Sequence, residues 1–328
     1  MPTTALVTGC SSGIGYETAR ALLDEGWQVY ATARDRDRDG LERLADRGAD
    51  VAALDLTEPD DIERVVERIR DEAGGVDCLV NNAGYGQFGP VEDVPTRLLK
   101  RQFAVHCFGP HRLIRAVLPR MRERGAGRII TVTSAADRLA LAGIGGYTAS
   151  KWAMASLSDA LRQELTDSGV EVVVVQPGIV RTPFYDRAVT AVDDAAATAR
   201  AASRADADTG ETDANRGDTS RKVTVVSPTG YTDLYRVLRR LRAVEGGGPL
   251  VNDPDRVAAT IREAATVSNP DTHYRVGPIP LLGSLYGTLV PGAIRDRLTK
   301  LGIRLAASEP VLDLLERRTS DAPSERYP

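Results

Sequence analysis

The first 180 residues alternate short apolar runs with longer amphipathic stretches, and this alternation restricts the fold more than any other feature. Six runs have the β-branched, almost continuous apolar composition of strands that are covered on both faces. They are residues 4–8, 27–33, 50–55, 76–82, 127–134 and 170–177. The stretches between them, such as 61–73 and 155–165, place apolar residues at helical spacing. The pattern therefore predicts an α/β fold with a doubly wound parallel sheet.

The alternation ends after Phe184. Residues 188–222 contain few large apolar side chains, so they are predicted to be a flexible insertion within a single domain that spans 1–328, with a charged binding tail as the alternative. The segments predicted for 229–328 are a lid helix at 231–244, a helix at 253–265, a last strand at 272–277 and a C-terminal extension. Residues 279–302 are apolar but interrupted by Gly and Pro, and we expect them to pack on the protein or on a partner subunit rather than on a membrane.

The overall composition excludes several classes of partner. The net charge of −4 offers no basic field for nucleic acid, and no run reaches the length of about 18 apolar residues that a membrane span needs. The three cysteines have no metal-binding spacing, so no metal site is predicted, and a reducing cytoplasm is the expected location.

The segment LVTGCSSGIG, residues 6–15, joins the first strand to the first helix and has the pattern of a phosphate loop. Gly9 permits a tight turn, and Gly13 and Gly15 allow a pyrophosphate and the helix to approach the backbone closely. The unpaired N–H groups at the start of the helix would then bind the phosphates. The loop predicts a dinucleotide cofactor.

The end of the second strand indicates which dinucleotide binds. Folds that prefer NAD usually carry an acidic residue there, but this chain has Ala33 followed by Arg34. A guanidinium suits the additional 2′-phosphate of NADP. We therefore favour NADP(H) over NAD(H), although Asp35 keeps NAD(H) open.

Tyr147 and Lys151 lie four residues apart, so a helix would place both on one face. A phenol has a pKa near 10, which is too high for acid–base work at neutral pH, and a neighbouring ammonium lowers it. The chain has only four lysines, yet it uses one here, where a compact point charge is better than a guanidinium. Ser134, at the end of the fifth strand, could hold a substrate oxygen beside Tyr147.

Five motifs together resemble the short-chain dehydrogenase/reductase family, most closely its hydroxysteroid and retinol dehydrogenase-like branch. They are TGCSSGIG (8–15), NNAG (81–84), Ser134, YTASK (147–151) and PGIVRT (177–182). The resemblance covers about residues 3–185 and implies a three-layer αβα Rossmann fold, hydride transfer at the nicotinamide and a homodimer or homotetramer. It implies that Tyr147 is the acid or base, that Ser134 polarises the carbonyl, and that Lys151 binds ribose and tunes Tyr147.

The predicted cofactor-binding set combines these arguments. It comprises Gly9, Ser11, Ser12, Gly13, Ile14, Gly15, Arg34, Asp55, Leu56, Asn82, Ala83, Gly84, Tyr147, Lys151, Pro177, Gly178, Val180 and Thr182. One position departs from the family pattern, because His106 stands where the family usually has an asparagine that supports a proton path. The imidazole could replace that asparagine in catalysis, or it could fill a helix interface.

The apolar loop after Ser134 and the aromatic residues nearby predict a bulky apolar substrate. The residues assigned to it are Tyr85, Ala135, Leu141 and Phe184. The sequence therefore predicts an oxidoreductase that interconverts such an alcohol with its ketone or aldehyde. A non-catalytic dinucleotide sensor on the same fold is the alternative, and an epimerase or dehydratase related to this family is a third.

Overall fold

The computed structural model describes residues 3–36, 38–193, 228–241 and 250–308. Seven parallel strands form the central sheet. They are β1 (Thr4–Thr8), β2 (Gln28–Ala33), β3 (Asp50–Ala53), β4 (Cys78–Asn81), β5 (Gly127–Val132), β6 (Val170–Pro177) and β9 (His273–Val276). Their order across the sheet is β3-β2-β1-β4-β5-β6-β9. A separate parallel pair joins β7 (Ile179–Val180) to β8 (Val251–Asn252).

Helices connect and cover the strands. They are α1 (Gly13–Asp24), α2 (Asp39–Asp46), α3 (Pro59–Ala73), α4 (Thr96–Phe103), α5 (Gly109–Arg124), α6 (Gly145–Glu164), α7 (184–193), α8 (Thr232–Arg239), α9 (Pro254–Thr266), α10 (Ile279–Leu289) and α11 (Gly292–Ala306). A π-helical turn at Ala104–Phe108 links α4 to α5, and a 3₁₀ turn at Ala135–Arg138 follows β5. None of the helices within the described ranges is both long and apolar enough to cross a membrane.

Two apolar layers enclose the sheet because side chains alternate between its faces along each strand. In β1, Ala5 and Val7 pack in the layer with α1, α2 and α9, whereas Leu6 packs in the layer with α3, α5 and α6. Burying a side chain such as Leu6 contributes about 1.5–3 kcal/mol. The predicted Rossmann-type, three-layer αβα fold is confirmed.

The chain first adds β2 and β3 on one side of β1 and then returns to add β4 on the other side, so the strand order reverses between β1 and β4. In such a sheet the crevice at this reversal lies beyond the carboxyl ends of the strands and receives the ligand. The topology thus brings the loops after β1, β4, β5 and β6 to one edge.

The later segments differ in detail from the prediction. Residues 188–193 continue α7, with Ala188 and Val192 fully buried, whereas 194–222 lie outside the described residues. The lid helix predicted at 231–244 is helical at Thr232–Arg239, and its last three residues also lie outside the described ranges. Asp253 occupies the N-cap position of α9 without making a capping hydrogen bond, because its carboxylate pairs with Arg181.

Candidate active site

A cavity of about 430 Å³ opens at the carboxyl edge of the sheet. Three of the four residues predicted to be catalytic line it, and so does every residue predicted to contact cofactor or substrate. The predicted lining that the structure brings together is Gly9, Ser11, Ser12, Gly13, Ile14, Gly15, Arg34, Asp55, Leu56, Asn82, Ala83, Gly84, Tyr85, Ser134, Ala135, Leu141, Tyr147, Lys151, Pro177, Gly178, Val180, Thr182 and Phe184. His106 is not part of the lining.

The glycine loop leaves no room for side chains. A Cβ at Gly15 would lie 2.3 Å from the carbonyl oxygen of Gly9, and one at Gly13 would lie 2.8 Å from Cγ2 of Thr182. Ser12 is the N-cap of α1, and its side chain makes no hydrogen bond to the first helical turn. Bare backbone and a helix N-terminus that Ser12 does not cap therefore face the cavity, and this arrangement fits a pyrophosphate.

The loop is held in place by the neighbouring strand end. Nδ2 of Asn82 donates to the carbonyl oxygen of Thr8 at 2.8 Å, and the backbone N–H groups of Asn82 and Ala83 both donate to Oγ1 of Thr8 at 3.0 Å. The side chain of Asn82 thus positions the glycine loop by donating a hydrogen bond to the backbone of Thr8.

Arg34 and Asp35 differ in their relation to the cavity. The exposed Arg34 lines it directly after the buried Ala33, whereas Asp35 is outside the lining and pairs with Arg38 at 3.1 Å. At the end of β3, Asp55 also lines the cavity, and one of its carboxylate oxygens accepts hydrogen bonds from the backbone and the hydroxyl of Thr57. The lining here therefore contains one cationic side chain, Arg34, and one carboxylate, Asp55.

Tyr147 projects from the first turn of α6 into a group of rings. The rings of Phe88, Phe184 and His106 meet it edge to face, with centroids 5.6–5.7 Å away. Burial raises the pKa of Tyr147 to about 12, and the hydrogen bond with Ser134 opposes that rise. Tyr147 is consequently a protonated phenol at neutral pH, beside a serine hydroxyl.

Lys151 lies one turn further along α6, and its side chain is buried. Its Nζ donates to the carbonyl oxygen of Val132, at the end of β5, at 3.0 Å. Burial lowers the pKa of Lys151 to about 8. The structure differs here from the sequence expectation, because burial is the largest influence on the pKa of Tyr147 and raises it.

A buried carboxylate lies beneath this group and was not identified from the sequence. Asp137 accepts a hydrogen bond from Oγ1 of Thr133 at 2.6 Å, and Nε2 of Gln176 donates to both of its oxygens at 2.8 and 2.9 Å. Burial raises the pKa of Asp137, and its charge in turn raises the pKa of Tyr147 and of Lys151. Asp137 thereby ties the turn that carries Ser134 to strand β6.

His106, also predicted to be catalytic, lies outside the cavity lining; its ring is buried, and both of its nitrogens have hydrogen-bond partners within the protein. Nε2 accepts the backbone N–H of Tyr85 at 3.0 Å, so Nδ1 carries the proton and donates to Oγ of Ser150 at 3.0 Å. Ser150 donates in turn to the carbonyl oxygen of Tyr147 at 2.7 Å. These contacts join the loop after β4 to helix α6 through His106, and a role of the imidazole in catalysis stays a prediction.

The far end of the cavity is apolar. Besides the predicted residues, it is lined by Phe88, Leu139, Ile144, Tyr185, Leu241 and Ile279. Leu234, Tyr235 and Leu238 of α8 pack in one cluster with Phe88, and Tyr147 and Phe184 pack against it. The helical spacing of α8 signalled its apolar stripe, whereas no sequence pattern connected Ile279 to the site.

Comparisons with known proteins agree with this geometry. The family model described as short chain dehydrogenase matches residues 3–193. Retinol dehydrogenase 5 of Mus musculus is 30% identical over 297 residues, covering 88% of this chain and 85% of that protein. A short-chain dehydrogenase from Streptomyces avermitilis has a similar structure, with a TM-score of 0.69, 31% identity, and coverage of 91% of this chain and 95% of that one. A metagenomic short-chain oxidoreductase in complex with NADP has a TM-score of 0.59 and 26% identity, covering 84% and 98%.

Proposed function

Because the chain belongs to the short-chain dehydrogenase family, we propose that it is an NADP(H)-dependent oxidoreductase that interconverts a bulky apolar alcohol and its ketone or aldehyde. One observation carries the proposal: Ser134, Tyr147 and Lys151 line the same cavity as the glycine loop. A dinucleotide and a carbonyl compound could therefore meet at a proton donor.

The side chains divide the reaction between them. Ser134 donates a hydrogen bond to the substrate oxygen and orients it beside Tyr147. In the reductive direction Tyr147 delivers its phenolic proton to that oxygen, and its pKa of about 12 keeps the proton in place at neutral pH until then. Lys151 would hold the ribose hydroxyls. A bound nicotinamide supplies or accepts the hydride.

Family membership and the glycine loop support a nicotinamide dinucleotide as the cofactor. The preference for NADP(H) is the finer part of the proposal. It is supported by the exposed guanidinium of Arg34 at the cavity and by the pairing of Asp35 with Arg38. The NADP complex of the metagenomic relative is consistent with it.

The substrate class is inferred from the apolar end of the cavity. Its lining by Leu139, Ile144, Phe184 and Tyr185 suits a bulky hydrocarbon skeleton rather than a polar or charged one. The name of retinol dehydrogenase 5 refers to an alcohol of this type. A homodimer or homotetramer in the cytoplasm is the accompanying expectation.

A panel of apolar ketones and aldehydes, assayed for oxidation of NADPH and of NADH, tests the proposal. We expect turnover with at least one bulky carbonyl and a higher kcat/KM with NADPH. Tight cofactor binding without turnover on any member of the panel would instead favour the dinucleotide sensor.

A further inference from the structure

The outer face of helix α11 carries an apolar stripe that lies open to solvent. Ile294, Leu298, Leu301 and Leu305 follow each other at intervals of four, three and four residues, and they are 49%, 48%, 53% and 56% exposed. Such spacing places all four on one side of a helix. Ile303, on the opposite side, packs against the α8 cluster and fixes the direction in which the stripe faces.

Cations border this stripe. Helix α11 contains Arg295, Arg297, Lys300 and Arg304 against the single acid Asp296, so its net charge is 4 − 1 = +3, whereas the whole chain has −4. At 100° per residue, Arg297 and Arg304 lie along one border of the stripe and Arg295 lies along the other. Long basic side chains at the borders of an apolar face can cover it while their charges reach an anionic surface.

We propose that α11 docks this protein on the surface of an anionic phospholipid bilayer. The apolar stripe would enter the boundary between headgroups and acyl chains, and the exposed Arg297 and Arg304 would bind the lipid phosphates. Leu285 and Leu289 of the adjoining α10, 47% and 72% exposed, add apolar surface to the same helix pair.

Charge favours a bilayer over a second copy of the chain. In a two-fold interface each stripe would face its own copy, so Arg297 and Arg304 would approach the same residues of the partner. Such like-charge contacts oppose association. An anionic bilayer has the opposite charge to the cations of α11, and its interior accepts the apolar stripe. This assignment departs from the expectation, drawn from the sequence, that 279–302 packs on the protein or on a partner subunit.

The docking surface adjoins the cavity. Ile279, the first residue of α10, lines the cavity, and Ile303 packs on the cluster that contains Phe88. A protein bound through α11 would hold its apolar cavity close to the lipid. This second part of the inference rests on the proposed function, because it supposes that the substrate is an apolar compound that dissolves in the bilayer.

Flotation of the full chain with lipid vesicles tests the docking directly. Vesicles of phosphatidylcholine alone are compared with vesicles that also contain phosphatidylglycerol. We expect the protein to float with the anionic vesicles and to lose this binding as salt is raised. Arg297→Gln with Arg304→Gln should weaken partitioning about fivefold for each charge removed. The control, Arg47→Gln with Arg70→Gln, removes the same charge from exposed sites elsewhere and should leave binding unchanged.

A second pair of variants tests the apolar stripe. Leu298→Ser with Leu305→Ser should abolish flotation, whereas Leu298→Met with Leu305→Met should retain it. Wild type and both variants can be compared by size exclusion, because these side chains are exposed. If the wild-type chain does not float with anionic vesicles, or if the serine variant floats as well as wild type, the proposal is wrong. A wild-type chain that does not float, with a serine variant that changes oligomeric state, would assign the stripe to a subunit interface.

Flotation requires no catalysis, so its failure is distinct from failure of the proposed function. Turnover of a water-soluble carbonyl substrate should be equal in wild type and in the serine variant. Loss of vesicle binding with unchanged turnover would separate the two claims.

Discussion

The backbone N–H of Tyr85 donates to Nε2 of His106 at 3.0 Å, and this contact determines both the tautomer and the charge of the imidazole. A nitrogen that accepts cannot carry a proton, so the ring is neutral and protonated at Nδ1. Burial and the charge of Lys151 hold the pKa of His106 well below its ordinary value of 6.5. The histidine works as a neutral clamp between the loop after β4 and helix α6.

Because His106 is buried in its neutral form, we expect the stability of the fold to depend on pH. In the unfolded chain His106 takes up a proton near pH 6.5, whereas in the folded state it does not, so the folded state loses stability as the pH falls below 6.5. His106→Gln should lower the free energy of unfolding by about 1–3 kcal/mol at pH 8. The substitution should also remove the contribution of His106 to the pH dependence of the free energy of unfolding, which is about 1.4 kcal/mol per pH unit below pH 6.

Urea unfolding of wild type and of His106→Gln between pH 5 and pH 8 measures both effects. His111→Gln, at an exposed position of α5, is the matched control and should change neither. The pKa of His273 is also lowered, but His273 is present in wild type and in both variants, so its contribution to the pH dependence cancels in the comparison. An unchanged slope in His106→Gln would show that the ring is not held neutral.

Arg34→Asp should weaken NADPH binding far more than NADH binding, because only NADPH carries the 2′-phosphate that a guanidinium would bind. The loss of a charged hydrogen bond of this kind corresponds to about 1.5–3 kcal/mol, or roughly 10- to 150-fold in Kd. Titration by cofactor fluorescence measures it. Arg36→Asp makes the same charge change at an exposed residue outside the cavity lining and serves as the control. Equal losses for both cofactors would contradict the role of Arg34.

Asp137→Asn should shift the pH profile of alcohol oxidation to lower pH. The carboxylate raises the pKa of Tyr147, and removing its charge makes the phenolic proton easier to remove. We expect a shift of between a few tenths and about one pH unit. The control is Asp159→Asn, which removes a carboxylate from the same helix as Tyr147 at a site where it pairs with Arg162. A shift of the same size in the control would mean that the effect is not specific to Asp137.

Leu238→Ala in α8 should raise KM for a bulky substrate and leave Kd for NADPH unchanged. Leu238 is buried in the cluster with Phe88, and α8 is the segment expected to act as a lid over the apolar end of the cavity. The matched control is Val237→Ala, on the same helix but outside that cluster. If KM is unchanged in a folded Leu238→Ala variant, α8 is a permanent part of the core rather than a lid.

The sequence predicted the sheet well because six of its seven strands carry a strong apolar signal and the glycine loop marks the first crossover. Motif spacing likewise predicted the cavity lining from Gly9 to Thr182. Periodicity could not predict the two-residue strands β7 and β8, which are too short to show any. The roles of His106 and Asp137 depend on partners such as Tyr85 and Gln176, which lie 21 and 39 residues away along the chain, and only the fold brings them together.

The central claim is that Tyr147 is the proton carrier of a hydride-transfer enzyme. Tyr147→Phe keeps the ring packed against Phe88 and Phe184 and removes only the hydroxyl. The most direct measurement is kcat for the best carbonyl substrate with NADPH, together with Kd for NADPH, in wild type and in this variant. The account predicts a fall in kcat of about 10²–10⁴-fold with Kd within roughly twofold of wild type. A Tyr147→Phe variant that turns over at nearly the wild-type rate would contradict it.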